Sequence, residues 1–241
     1  YKSDFEVELK DDNSPLTIAD KKSNDIIHDA LASFEIPFLS EEGKEIPYDE
    51  RKKWDYLFII DPLDGTKEFV KKNGEFTVNI ALVNKDKPIL GVIYSPVSGE
   101  LFFSLAGFGA YKKTALNFFS DLKLLLYDAI DLPTKNERKN YVIVGSRSHM
   151  SKETEVFFEK KKNEYKEVEI FSIGSSLKIC MVAEGKADVY PRYAPTMEWD
   201  TAAGHAIANM AGFKVLKYQS NEEIKYNKKS LLNPWFLVTK N

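Results

Sequence analysis

Asp61-Pro62-Leu63-Asp64-Gly65-Thr66 crowds two carboxylates, a rigid proline and a permissive glycine onto the end of an apolar run, Trp54 to Ile60. Two aspartates three positions apart can be brought by one tight turn, with the Leu63 carbonyl between them, to a single hard cation; magnesium is the natural candidate. Gly65 lets backbone approach a ligand with no side chain in the way, and Thr66 can open a helix with its hydroxyl exposed. A phosphate there would meet metal, hydroxyl and backbone amides together. The bland reading of the same residues is turn chemistry, for which Asp-Gly and Asp-Pro pairs are common.

Further acids and anion-binding groups are weaker signals when taken one at a time. Asp20 closes Thr17-Ile18-Ala19-Asp20, a capping-box spacing, so it is either a helix cap or an aspartate aimed into a cleft. Glu41 and Glu42 follow a short apolar run, and adjacent glutamates are usually solvated surface. Asp200, in Trp199-Asp200-Thr201-Ala202-Ala203-Gly204, stands where a helix N-terminus would favour it, a standard cap by itself. Gly174-Ser175-Ser176 falls between a strand and a helix, where unpaired amides and two hydroxyls could hold an anion within reach of Lys178; an ordinary serine cap is the alternative. His149 alone reads as a surface or packing histidine.

The elements that must position these groups follow from periodicity and breakers. Trp54 to Ile60 is a buried strand that should stop at Asp61 and turn out of the sheet, because Pro62 has no amide to donate. Ile26, Ile27, Ala30, Leu31 and Phe34 recur at helical spacing, which predicts a helix over Lys21 to Phe34 lying on a sheet. Phe5 to Lys10 reads as an edge strand and Ile36 to Leu39 as a short buried one. Phe76 to Val83, Ile89 to Tyr94, Leu101 to Leu105 and a short piece near Ala110 to Lys112 predict an antiparallel meander. Beyond a charged, weakly periodic stretch, strands at Tyr141 to Val144, Val168 to Phe171, Ala187 to Tyr190, Lys214 to Tyr218 and Trp235 to Val238 alternate with helices at Lys152 to Lys162, Leu177 to Glu184 and after Thr201. That pattern is an α/β (α+β) chain of two lobes, with a boundary near residue 132.

Composition excludes several classes of function. The 241 residues are 43% hydrophobic and 29% charged, with no apolar run near the roughly 20 residues of a membrane span. A net charge of −3 gives no basic field for nucleic acid. Lys160-Lys161-Lys162 reads as a solvated helix end, with a weak contact to acidic lipid as its alternative. The single Cys180 forms no internal disulfide and no signal peptide is recognisable, so the expected location is the cytoplasm, free or peripheral on the inner face of the membrane.

Jointly, Ser40-Glu41-Glu42, Asp61 to Thr66 and Trp199 to Gly204 closely resemble, in order and spacing, the motifs of the magnesium-dependent, lithium-sensitive phosphatases related to inositol monophosphatase. The longer runs Asp64-Gly65-Thr66-Lys67-Glu68-Phe69 and Gly174-Ser175-Ser176-Leu177-Lys178 are most similar to the bacterial 3'(2'),5'-bisphosphate nucleotidases, the CysQ-like branch. The resemblance covers nearly the whole chain. It implies a layered αβαβα sandwich with the metal site between two lobes, 1–132 carrying most metal ligands and 133–241 carrying Asp200 and the nucleotide contacts. Glu41, Asp61 and the Leu63 carbonyl would hold one magnesium, and Asp61, Asp64 and Asp200 a second. Thr66 and Asp20, with Glu41, would orient or deprotonate the attacking water, and Glu42 would stand behind them. Gly65, His149, Gly174, Ser175, Ser176, Lys178 and Arg192 would lie near nucleotide and phosphate. The glutamate that contacts sugar hydroxyls in inositol monophosphatases is Tyr193 here, which disfavours inositol phosphate.

The implied reaction is hydrolysis of the 3'-phosphate of adenosine 3',5'-bisphosphate to AMP, with 3'-phosphoadenylyl sulfate as a second substrate, in sulfate assimilation. An inositol or sugar phosphate phosphatase is the alternative within the superfamily, and a non-catalytic nucleotide-binding regulator the alternative outside it. A third, an aspartyl-phosphate enzyme, is opposed by spacing, since such enzymes need aspartates two positions apart and position 62 is proline. The expected partner is a small nucleotide, and the chain is expected to be a monomer or homodimer.

Overall fold

A computed structural model gives the arrangement of residues 7–9, 15–114, 121–135, 137–145 and 151–240. Strands β1 (Val7–Leu9) and β2 (Pro15–Thr17) form a small antiparallel pair ahead of helix α1 (Ile18–Leu31). Seven strands then make one sheet: β3 (Phe38–Ser40), β4 (Tyr56–Asp64), β5 (Thr77–Asn84), β6 (Lys87–Ser95), β7 (Glu100–Leu105), β8 (Gly109–Thr114) and β9 (Ile130–Asp131), in sequence order across the sheet. All neighbours are antiparallel except β3 and β4. The expected meander is present. Short helices α2 (Tyr48–Arg51), α3 (Thr66–Val70) and α4 (Leu122–Leu126) sit in its connections.

The second sheet is mixed and runs β11 (Val168–Ser172), β10 (Tyr141–Gly145), β12 (Val189–Arg192), β14 (Phe236–Lys240), β13 (Phe213–Lys217), parallel over the first three and antiparallel thereafter. Helices α5 (Lys152–Glu164), α6 (Leu177–Ala183) and α7 (Ala202–Met210) complete the chain. Helix α7 packs on β5, β6 and β7 of one sheet and on β13 of the other, while α6 packs on α7 and on β10, β12 and β14. These two helices are therefore the filling between the sheets. Outside, α1 lays Ile27 on Phe58 and Ile60, and α5 lays Phe158 on Ile143 and Val189. Five layers result, helix, sheet, helices, sheet, helix, and burying each such apolar side chain contributes roughly 1.5–3 kcal/mol.

One core runs through the middle layer, joining Leu57, Val83 and Ile93 of the first sheet to Ile179, Val182 and Ile207 of the helices and to Val144, Val215 and Val238 of the second. The small residues of α7 allow a close approach to the first sheet. A Cβ on Gly91 of β6 would lie 2.2 Å from the Ala203 carbonyl oxygen, so helix and strand touch backbone to backbone there. Among the described residues no helix is long and apolar enough to cross a membrane.

One sequence expectation needs correction. Strand β4 does not leave the sheet at Asp61; its ladder skips a residue between Asp61, opposite Asn79, and Asp64, opposite Thr77, then resumes. Pro62 occupies this bulge, where no ladder amide is required of it, and β3 has already ended at Ser40 on the other flank. The bulge keeps both aspartates on the sheet while displacing the second from strict alternation.

Candidate active site

Asp61 is fixed by its own turn: the Leu63 amide donates to its Oδ1 at 3.0 Å, and the carboxylate is 1% exposed. Three residues on, Asp64 accepts from the Ser176 amide at 2.5 Å and from Asn79 Nδ2 at 3.4 Å. A bond from β4 to the start of α6 thus ties the first sheet to the middle layer of helices at this point. Gly65 follows in left-handed backbone, φ 92°, and starts α3. Thr66 Oγ1 lies 3.2 Å from Asp20 Oδ1 and 3.3 Å from the Leu63 carbonyl oxygen, so its proton has two acceptors.

Asp20 combines the two readings open to it. Its Oδ2 accepts from the Thr17 amide at 2.8 Å and the Thr17 hydroxyl at 2.6 Å, closing the capping box of α1, while Oδ1 is left for Thr66. Asp200 is not the helix cap that its position suggested. Thr201 is the N-cap residue of α7, and the Asp200 carboxylate turns back to accept from the Met197 amide at 2.9 Å. That turn aims it into the same cleft as Asp64 and Glu41.

The Gly174-Ser175-Ser176 segment also departs from expectation. Two of its three amides do not stand open to an anion: Gly174 donates to Glu75 Oε2 at 2.7 Å and Ser176 to Asp64. Nor does Ser176 cap α6, because its hydroxyl donates to Asn79 Oδ1 and accepts from Thr77, each at 2.8 Å. Asp64 of β4 and Glu75, just ahead of β5, have taken these donors. A Cβ at Gly174 would stand 2.7 Å from the Glu75 carbonyl oxygen, so glycine is required for that approach. Lys178 is buried beneath, donating to the Ser175 carbonyl oxygen at 2.5 Å, and burial pulls its ammonium down to about 8.

Together these segments wall a cleft of about 280 Å³ lined by Glu41, Asp64, Gly65, Thr66, Gly174, Ser175, Ser176, Lys178, Arg192 and Asp200. Asp20, Asp61 and Leu63 lie buried beneath it. Arg192, at the end of β12, donates from Nη2 to the Pro195 carbonyl at 2.9 Å, while its Nε is buried without a partner. Tyr193, in contrast, turns away into an aromatic cluster with Phe157, Tyr218 and Trp235. His149 lies outside the described residues. Thr77, Asn79, Glu68 and Glu75 were not singled out from sequence, although Thr77 and Asn79 share the inward face of β5 with Ala81 and Val83. Polar residues in an apolar-facing register were the available signal.

The electrostatics are those of acids in want of positive charge. Burial, then repulsion from Glu41, Asp64 and Asp200, holds Asp61 well above the usual carboxylate range. Burial also raises Asp64, against the pull of Lys178, Asn79 and the Ser176 amide. Asp200 is pushed up to about 8 by burial and then by Asp64. Among the described residues no three such groups close on one point as a finished metal cage. What fits them to a hard cation is their chemistry: carboxylate oxygens and one backbone carbonyl, buried, mutually repelling and short of cations.

A five-layered αβαβα sandwich carrying this acidic cleft defines a class, and the Inositol monophosphatase family profile matches residues 1–238: the chain belongs to that family. It is 40% identical over 237 residues to the 3'(2'),5'-bisphosphate nucleotidase CysQ of Escherichia coli K12, covering 98% of this chain and 89% of that protein. The crystal structure of CysQ from Bacteroides thetaiotaomicron superposes with a TM-score of 0.91 at 53% identity, over 99% of this chain and 88% of that one. A more distant structure, an inositol monophosphatase/NADP phosphatase complexed with Mg2+ and phosphate, shares the fold with a TM-score of 0.72 at 19% identity, over 98% and 82% of the two chains.

Proposed function

We propose that this chain is a 3'(2'),5'-bisphosphate nucleotidase that removes the 3'-phosphate of adenosine 3',5'-bisphosphate to give AMP, with 3'-phosphoadenylyl sulfate as a second substrate. The observation that carries the reading is the joint placement, at one cleft, of buried, mutually repelling aspartates and of Lys178 and Arg192. Acids of that kind suit a cation, and the two basic groups suit a phosphorylated ligand.

On this reading Glu41, Asp61, the Leu63 carbonyl, Asp64 and Asp200 hold two or more magnesium ions, the ion that the structural relative carries with phosphate. Magnesium supplies Lewis-acid charge that makes water a nucleophile at neutral pH and neutralises the phosphoryl group. The chain's own residues do the rest. Thr66 takes a proton from the attacking water at its Oγ1 while giving its own hydroxyl proton to Asp20, whose Oδ1 is already its partner. Glu41, which directly follows β3 and lines the cleft, orients the same water. The unpartnered Nε of Arg192 and the Ser175 hydroxyl take the non-reacting 5'-phosphate, and a bidentate guanidinium fits that group. Lobe 1–132 then supplies most cation ligands and lobe 133–241 the nucleotide contacts and Asp200.

Phosphate release from adenosine 3',5'-bisphosphate, inositol 1-phosphate and fructose 1,6-bisphosphate, measured side by side with magnesium, tests the assignment. The nucleotide should be preferred, with 5'-AMP as product. Preference for either sugar ester would overturn the substrate, and binding of nucleotide without turnover would make the chain a regulator.

A further inference from the structure

A second cavity, of about 590 Å³, lies between α2, the β5–β6 turn and segment 225–229, and shares no lining residue with the cleft. Five lysines line it against two aspartates, so its field is positive in a chain whose net charge is −3. Lys225 is paired with Asp86 at 2.8 Å and Lys52 with Asp49 at 2.5 Å. Among the described residues, Lys85 and Lys229 have no carboxylate partner. The half-buried rings of Tyr48 and Trp54, with Tyr226 and Asn227, form the rest of the wall. Cations beside aromatic faces in a cavity of this size suit a ligand that has both phosphate and a planar ring.

The fifth lysine connects this wall to the cleft. Lys228 Nζ donates to Glu198 at 2.5 Å, and Glu198 is fully buried, accepting also from the amides of Asn227 at 2.6 Å and Lys228 at 3.0 Å. Glu198 stands two residues before Asp200. Its loop is further pinned by Asn233, which donates to the Met197 carbonyl at 2.7 Å and the Thr201 hydroxyl at 2.9 Å. A phosphate in the cavity competes with Glu198 for the Lys228 ammonium, and a buried carboxylate deprived of its cation shifts the loop that holds it.

We propose that this cavity binds a nucleoside polyphosphate, and that the bound phosphate draws Lys228 from Glu198, displaces the Asp200 loop and lowers turnover. The coupling half rests on the assignment of Asp200 to the cation site; the binding half does not.

Calorimetry with ATP on the whole chain tests binding, using R192A to remove attachment in the cleft and K85A/K229A to strip the cavity. Binding should persist in R192A and weaken about tenfold in K85A/K229A, and inorganic tripolyphosphate should bind about tenfold more weakly than ATP. Loss in R192A with no change in K85A/K229A would overturn the site, and equal binding of tripolyphosphate would overturn the ring. With saturating adenosine 3',5'-bisphosphate and fixed free magnesium, ATP should lower kcat in the wild type and leave K85A/K229A, whose basal rate is that of the wild type, unaffected. Tight ATP binding with unchanged wild-type kcat would overturn the coupling.

Discussion

Two clusters of charge among the described residues differ in a way that separates structure from chemistry. Between β7, β8 and α6, Lys112 is held by Glu100 at 2.5 Å and Glu184 at 2.9 Å. Burial alone would raise Glu100 and lower Lys112, yet the mutual pairing overcomes it, so Glu100 sits below and Lys112 above its ordinary value. Every charge there has its opposite. At the end of β4 the reverse holds: burial and mutual repulsion act together on Asp61 and Asp200, and both are driven up. A balanced cluster fastens two elements, whereas an unbalanced one stores affinity for a cation.

The largest effect should come from Asp61→Asn. We expect phosphate release to fall by about 10²–10³-fold or more, while the cation-free protein becomes more stable to heat, since one of the repelling acids is gone. A parallel fall in activity and in melting temperature would place Asp61 with the balanced cluster instead. Lys112→Met should do the opposite, costing about 1.5–3 kcal/mol by taking its cation from the partly exposed Glu100 and leaving the buried Glu184 with Lys186 alone, while kcat stays near wild type. Thr66→Val should lower kcat by about 10²-fold, and Thr66→Ser should restore most of it, because only the hydroxyl serves as the proton route.

The smallest effect is in stability against pH. Asp200 holds its proton up to about pH 8 in the folded chain and to about pH 4 when unfolded, so between those values the folded state binds more protons. Raising the pH through that window removes stability. The melting temperature of the cation-free protein should therefore fall by several degrees from pH 5 to pH 8, about 2–4 °C per kcal/mol, and the slope should flatten in Asp200→Asn. Saturating magnesium should flatten it too.

Much of this was legible in the sequence because its signals are contiguous. The Asp61 to Thr66 run carries its own turn, the meander alternates cleanly, and the small residues of α7 announce the close approach that Gly91 completes. What the sequence concealed depends on contacts distant along the chain. Nothing local indicates that the Gly174 and Ser176 amides are claimed by Glu75 and Asp64, or that Asp200 turns back to Met197 rather than capping α7. The ladder's continuation past Pro62 was hidden for the same reason, since only the pairing with Thr77 reveals that a bulge absorbs the proline.

The most direct test of the unbalanced cluster is a calorimetric titration with magnesium near pH 7 in two buffers of different ionisation enthalpy. Binding should be accompanied by release of protons from the buried acids, with both affinity and proton release reduced in Asp61→Asn. Magnesium binding that releases no protons and is indifferent to Asp61→Asn would contradict it.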